Sequence, residues 1–125
     1  ADEIERTFQS LVSMSNGGLV VLPDPTMVGH RELIISLAAR YRVPAVYPFR
    51  LFIAGGGLMA YETDQTQISR LAASYIDRIL RGTSPGDLPV QVPTKYATIV
   101  NLKAAKTLGL EVPAPLLLRA DEVIE

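Results

Sequence analysis

Few residues in this chain could do chemistry, and those that could follow short apolar runs. Asp24 stands between Pro23 and Pro25, just after Gly18-Leu19-Val20-Val21-Leu22. Tyr47 closes Val43-Pro44-Ala45-Val46-Tyr47, and Tyr61-Glu62 closes the run that starts at Leu58. A carboxylate and two phenols so placed can hydrogen-bond and stack a small solute. Asp24 can equally be a turn residue that satisfies local backbone amides, and either tyrosine can be a half-buried core aromatic. Arg50 is a surface charge or a guanidinium fork reaching over the same cleft to an anionic group. His30, the single histidine, lies at a helix start beside Arg31 and Glu32 and reads as solvated. With no Ser or Cys nominated beside it there is no triad, and without clustered carboxylates it falls short of a metal-ligand set. No G-x-S-x-G elbow and no P-loop is present. Gly55-Gly56-Gly57 precedes a strand instead of joining strand to helix, so a dinucleotide fingerprint fails on context. No catalytic residue, metal or cofactor is expected.

The elements that would position these residues alternate in period. Ile4, Phe8, Leu11 and Val12 mark one helical face, ended by Ser15-Asn16-Gly17-Gly18. The run from Gly18 to Leu22 reads as a strand buried on both faces. Leu33, Ile34, Leu37, Ala38 and Tyr41 restore helical spacing, 43–47 is a second strand, 49–54 a short helix and 58–61 a third strand. Ile68, Leu71, Ala72, Tyr75, Ile76, Ile79 and Leu80 make the clearest helix, with Thr63 or Asp64 able to cap its start and Gly82 at its end. A loop follows over 83–89, then a fourth strand at 96–100 and a helix from Asn101 to Gly109. Such alternation predicts βαβ units and the doubly wound α/β class, a three-layer parallel sheet with helices on both faces. In open sheets of that kind ligands sit outside the carboxyl ends of the strands, where Asp24, Tyr47 and Tyr61 fall.

Composition narrows the classes further. The 125 residues are 48% apolar and 20% charged, with no Cys and a formal net charge of -1. One domain fits that length. A disulfide scaffold is impossible, disorder is unexpected, and no basic stripe offers phosphate contacts to a nucleic acid. No apolar run approaches the length that spans a bilayer. Ala1 to Glu5 carry neither a basic n-region nor an apolar h-region, so no signal peptide is expected within these residues.

Five stretches together carry a resemblance: Gly56 to Tyr61, Tyr75-Ile76-Asp77-Arg78-Ile79-Leu80-Arg81-Gly82, Asp87 to Tyr96, Asn101 to Leu110, and Arg119-Ala120-Asp121-Glu122-Val123-Ile124-Glu125. In this order and spacing the series is similar to the C-terminal part of ABC-transporter substrate-binding proteins of the tryptophan/tyrosine type. These belong to the type I periplasmic binding proteins, of Rossmann/flavodoxin-like fold. The resemblance implies a receptor, not an enzyme, that captures a small solute between two lobes and delivers it to a membrane ABC permease, with no nucleic acid involved. It implies a periplasmic or lipid-anchored extracellular location, and some members are associated with aromatic amino acids. It also implies that 1–125 is a C-terminal lobe fragment, in which 57–82 would complete an absent N-terminal lobe. The long helix would then lack its cover, so it is expected to dock on its own sheet or to pair with a second copy as a homodimer. Carried over from the family are Asp24 with Pro25, Tyr47 and Tyr61, and with Arg50 and Asp64 they make up the expected ligand-binding set. The chain departs from the family pattern at Pro48, Leu51 and Glu62. The alternative is a ligand-sensing or regulatory α/β domain that does not transport.

Overall fold

The computed structural model describes residues 2–13 and 16–125; Ala1 and the expected helix-stop residue Ser15 lie outside them. The chain runs α1 (Asp2–Val12), β1 (Leu19–Val20), α2 (Pro25–Gly29), α3 (Arg31–Tyr41), β2 (Ala45–Tyr47), α4 (Arg50–Ala54) and β3 (Met59–Thr63). It continues with α5 (Gln65–Leu80), β4 (Tyr96–Asn101), α6 (Leu102–Leu108), α7 (Ala114–Leu117) and β5 (Glu122–Ile124), with a 3-10 turn at Pro85–Asp87 before β4. It divides into two compact units, one built from residues up to Glu62 together with Ala97–Glu125, the other from Thr63–Tyr96.

In the first unit the strands lie in the order β1-β2-β3-β4-β5. β1/β2 and β2/β3 are parallel, with Leu19 opposite Ala45 and Val46 opposite Met59, and β4/β5 is parallel with Ile99 opposite Glu122. Between β3 and β4 the direction reverses. Asn101 N–H donates to Leu58 O just before β3, and Asp64 N–H donates to Lys95 O just after it, so the start of one strand meets the end of the other. The sheet is therefore mostly parallel, with one antiparallel pair. The reversal has a plain cause: the chain leaves β3 and re-enters β4 at the same end, and a parallel pair would need it to return to the other.

Side-chain parity decides which face is packed. Val21, Ala45, Tyr47, Ala60 and Ile99 point into one cluster with Phe8 of α1 and Ile34, Ile35, Leu37 and Ala38 of α3. Phe8 stacks on Tyr41 at 6.4 Å, locking α1 against α3. α3 stops at Arg42, which adopts a left-handed φ of 54° while Val43 N–H donates to Ala38 O. Val20, Val46 and Met59 look the other way, onto a groove also lined by Val100, Leu110 and Leu116.

The second unit is one helix and its return. Asp64 caps α5, its Oδ1 accepting the N–H groups of Thr66 (2.9 Å) and Gln67 (3.1 Å). Gly82, at φ 102°, closes the far end as a glycine past a helix terminus does. The extended 88–95 segment runs alongside: Tyr75 donates to Pro89 O, Gln67 donates to Thr94, and Lys95 N–H donates to Gln67 Oε1. No residue of α5 is buried, and Ile76 and Leu80 stand exposed.

Candidate functional site

Because β1, β2 and β3 are parallel and in register, their carboxyl ends share one edge of the sheet. Asp24 follows β1. It is the N-cap of α2, its Oδ1 accepting Thr26 N–H at 2.7 Å, and Pro25 fills the first helical position, where no N–H is needed. That bond from the Thr26 backbone, with a further contribution from Thr26, holds the Asp24 carboxyl below its usual 3.8. Asp24 also lines a groove of about 520 Å³ along the outer edge of β1, with Ile4, Phe8, Val20, Leu22 and Met27.

Arg50 follows β2 and opens α4. The residue before it, Phe49, makes no side-chain cap. Glu62 supplies that function from β3: its Oε2 accepts Arg50 N–H at 2.7 Å, and its Oε1 lies 3.5 Å from Arg50 Nε. Glu122, at the start of β5, meets the other side of the guanidinium at 2.5 Å. Hydrogen bonding and attraction from Glu122, with Glu62 behind it, hold the Arg50 guanidinium proton more tightly than usual. One cation thus joins two strands and a helix start, and the cluster carries a formal charge of -1. An anionic ligand group would compete with two carboxylates already in place.

The tyrosines part company. Tyr61 points to the open face of β3 and is 52% exposed. Tyr47 is 2% exposed, stacked on Phe52 at 4.9 Å, and its phenol is pushed up to about 12 by burial. Its ring lines a cavity with Gly57 and Leu58, at the opposite end of the strands from Asp24. Tyr47 therefore sits in the core and not on the strand-tip surface. Asp64, also a candidate, lies in the second unit and acts as the α5 cap described above. His30 precedes α3 without a side-chain capping bond. Among the described residues no group of three His, Cys, Asp or Glu could hold a metal, and no helix is long and apolar enough to cross a membrane. Sequence reasoning missed Glu62 as a cap and Glu122 as an ion-pair partner. The first was visible only as a departure from the family pattern, and the second had no signal, lying 72 residues from Arg50.

In open, mostly parallel α/β sheets ligands bind outside the carboxyl ends of the strands, and that is where Asp24, Arg50 and Glu62 gather here. The model of the family described as "ABC transporter substrate binding protein" matches residues 1–124, and the chain belongs to that family. Among solved structures it is similar to a conserved domain protein from Vibrio cholerae O1 biovar El Tor, with 27% identity and a TM-score of 0.84 over 98% of this chain and 41% of that one. It is also similar to an ABC domain from Streptococcus pneumoniae in complex with L-Trp, with 26% identity and a TM-score of 0.83 over 98% and 42% of the two chains. A ligand-free, open substrate-binding protein with adhesive properties from Clostridium difficile shares the fold, at 22% identity and a TM-score of 0.69 over 98% and 41%. The chain thus spans about two fifths of the length of these solved relatives. A search of curated proteins finds no match.

Proposed function

We propose that this chain forms one wall of a solute trap that feeds an ABC-type import system. The observation that carries the reading is the family match over residues 1–124, joined to a strand-tip edge bearing Asp24, Pro25 and Arg50, with Tyr61 exposed midway along β3. The solute is a small molecule held in a cleft between two lobes, and an amino acid or aromatic compound suits an exposed Tyr61. The L-Trp in the Streptococcus pneumoniae relative supports that class. Tyr47 stiffens the strand end from within, and Asp64, expected in the ligand-binding set, serves as the cap of α5. On this reading the chain is the C-terminal lobe part, and the expected 57–82 segment that completes the other lobe overlaps the separate unit Thr63–Tyr96 over 63–82, its first six residues belonging to the first unit. The working protein is not an enzyme, meets a membrane permease as partner, and acts in the periplasm or lipid-anchored outside the cell.

The test is a thermal-shift and calorimetric screen of amino acids, L-Trp included, on the full-length product of the gene that encodes this chain. A ligand that binds only the folded state raises the melting temperature with concentration. Tyr61→Ala and Asp24→Ala should each weaken the hit at least tenfold. A full panel without a shift, or a hit indifferent to both substitutions, overturns the reading. The 125-residue chain alone should bind the same hit far more weakly, having one wall of the cleft.

A further inference from the structure

The cavity behind Tyr47 has a volume of about 220 Å³ and lies wholly within the first unit, between α3, α6 and the starts of β2 and β3. Ile35, Ala38, Leu58 and Leu108 give it apolar walls. Four polar side chains line it, Tyr47, Asn101, Lys103 and Thr107, and two of them are more than nine-tenths buried: Tyr47 at 2% exposure and Asn101 at 7%. Asn101 uses its Oδ1 to accept Ala104 N–H at 3.0 Å and cap α6, and its NH2 group makes no hydrogen bond among the described residues. The Tyr47 hydroxyl makes no hydrogen bond within the described residues. No side-chain N or O there is both sealed from solvent and unpartnered. These two donors must therefore look onto open space, and the space they share is this cavity. Lys103 adds a cation at the mouth, and no Asp or Glu lines the wall.

Donors that face a cavity are satisfied there by water or by the acceptor of a ligand that displaces it. An apolar cavity of ~150 Å³ holds one benzene ring, so this one has room for a ring and a polar head. We propose that it is a second small-molecule site, separate from the strand tips, that takes a single-ring or short-chain carboxylate. The apolar body lies against Ile35 and Leu108, and the carboxylate accepts from Tyr47 and Asn101 with Lys103 nearby. Gly57 makes this possible, because its bare backbone lets the Tyr47 ring lean back into the cavity: a Cβ there would stand 2.7 Å from Tyr47 Cε2.

The probe is 4-fluorobenzoate, titrated into the 125-residue chain and followed by amide chemical shifts and fluorine NMR. The expected result is saturable binding with a Kd on the order of 1 mM, with shifts centred on Gly57, Leu58, Ala104 and Leu108. Tyr47→Phe removes one donor and should raise Kd about five- to tenfold. Ala104→Leu fills the cavity and should abolish binding, and it reads independently should Tyr47→Phe disturb the core. Neutral 4-fluorotoluene should bind more weakly than the carboxylate. Absence of saturation, a Kd unmoved by both substitutions, or a cavity holding water alone overturns the proposal. Shifts centred instead on Thr26 and Arg50 would also overturn it while leaving the strand-tip reading standing.

Discussion

Gly57→Ala is the sharpest probe of how the core is held. The added Cβ would lie 2.7 and 2.9 Å from two ring carbons of Tyr47 and 2.8 Å from the carbonyl oxygen of Phe52. Carbon atoms pack best at about 3.5–4.0 Å, so the overlap approaches 1 Å on two sides. The Tyr47 ring can yield partly toward the cavity it lines. The Phe52 carbonyl cannot, because it accepts Gly57 N–H at 2.9 Å and Phe52 is fully buried. Overpacking typically costs about 1–3 kcal/mol, and straining that hydrogen bond adds about 1 kcal/mol. A loss of roughly 2–4 kcal/mol is expected, lowering Tm by about 10 °C in a domain of this size. Two companions calibrate it. At Gly55 the nearest atom is Ile35 Cδ1 at 2.9 Å, the movable end of a side chain, so Gly55→Ala should cost under about 1 kcal/mol. At Gly29 nothing lies within 4 Å, so Gly29→Ala should be neutral or stabilise by up to ~1 kcal/mol. Urea unfolding of the three variants reads the order directly. Equal stabilities for Gly57→Ala and Gly29→Ala would refute the packing described here, as would a Gly57→Ala loss that Tyr47→Leu does nothing to relieve.

Three further outcomes follow from the same geometry. Tyr47 ionises near 12 in the fold against 10.0 when free, because burial disfavours phenolate. Its contribution is complete below pH 10 and is lost as pH rises toward 12, a difference of about 3 kcal/mol; Tyr47→Phe should remove that part of the alkaline decline in urea midpoints. Arg50→Gln leaves Glu62 and Glu122 without their cation, yet the Arg50 side chain is 58% exposed, so the loss should stay below about 1 kcal/mol and fade at high salt. Asp64→Ala removes the acceptor of two helix N–H groups and should destabilise α5 by about 1 kcal/mol, seen as faster hydrogen exchange at Thr66 and Gln67.

What could be read in the sequence was local. The stripe from Ile68 to Leu80 sets α5; the strand run at 43–47 contains β2, and the run at 58–61 overlaps β3, which continues two residues further to Thr63. Asp64 and Asn101 cap the helices their positions suggest. Three short elements escaped: α2, hidden because Pro25 reads as a strand terminator before it reads as a first helical residue, α7, a four-residue helix between Pro113 and Leu118, and β5, only three residues long. The direction of β4 escaped as well. Strand propensity carries no sign, and what reverses this pair is a 34-residue unit that returns the chain to the end it left.

The site divides along the same line. Asp24 was legible because its partner is two residues away, whereas the Arg50 cluster draws on residues 12 and 72 positions distant and no local pattern announces it. Tyr47 and Tyr61 looked equivalent as strand-end aromatics, and parity separates them. Tyr47 shares its face with Ala45, whose partners are the buried side chains of α1 and α3. Ala60, opposite Tyr47 in the register, occupies that same face on β3, so its neighbour Tyr61 must turn outward. A residue's distance from a strand end says only that it is near a ligand edge. Counting odd and even positions from one known core residue says whether its side chain is turned into the core or out of it, and by that count Tyr47 is turned in and Tyr61 out.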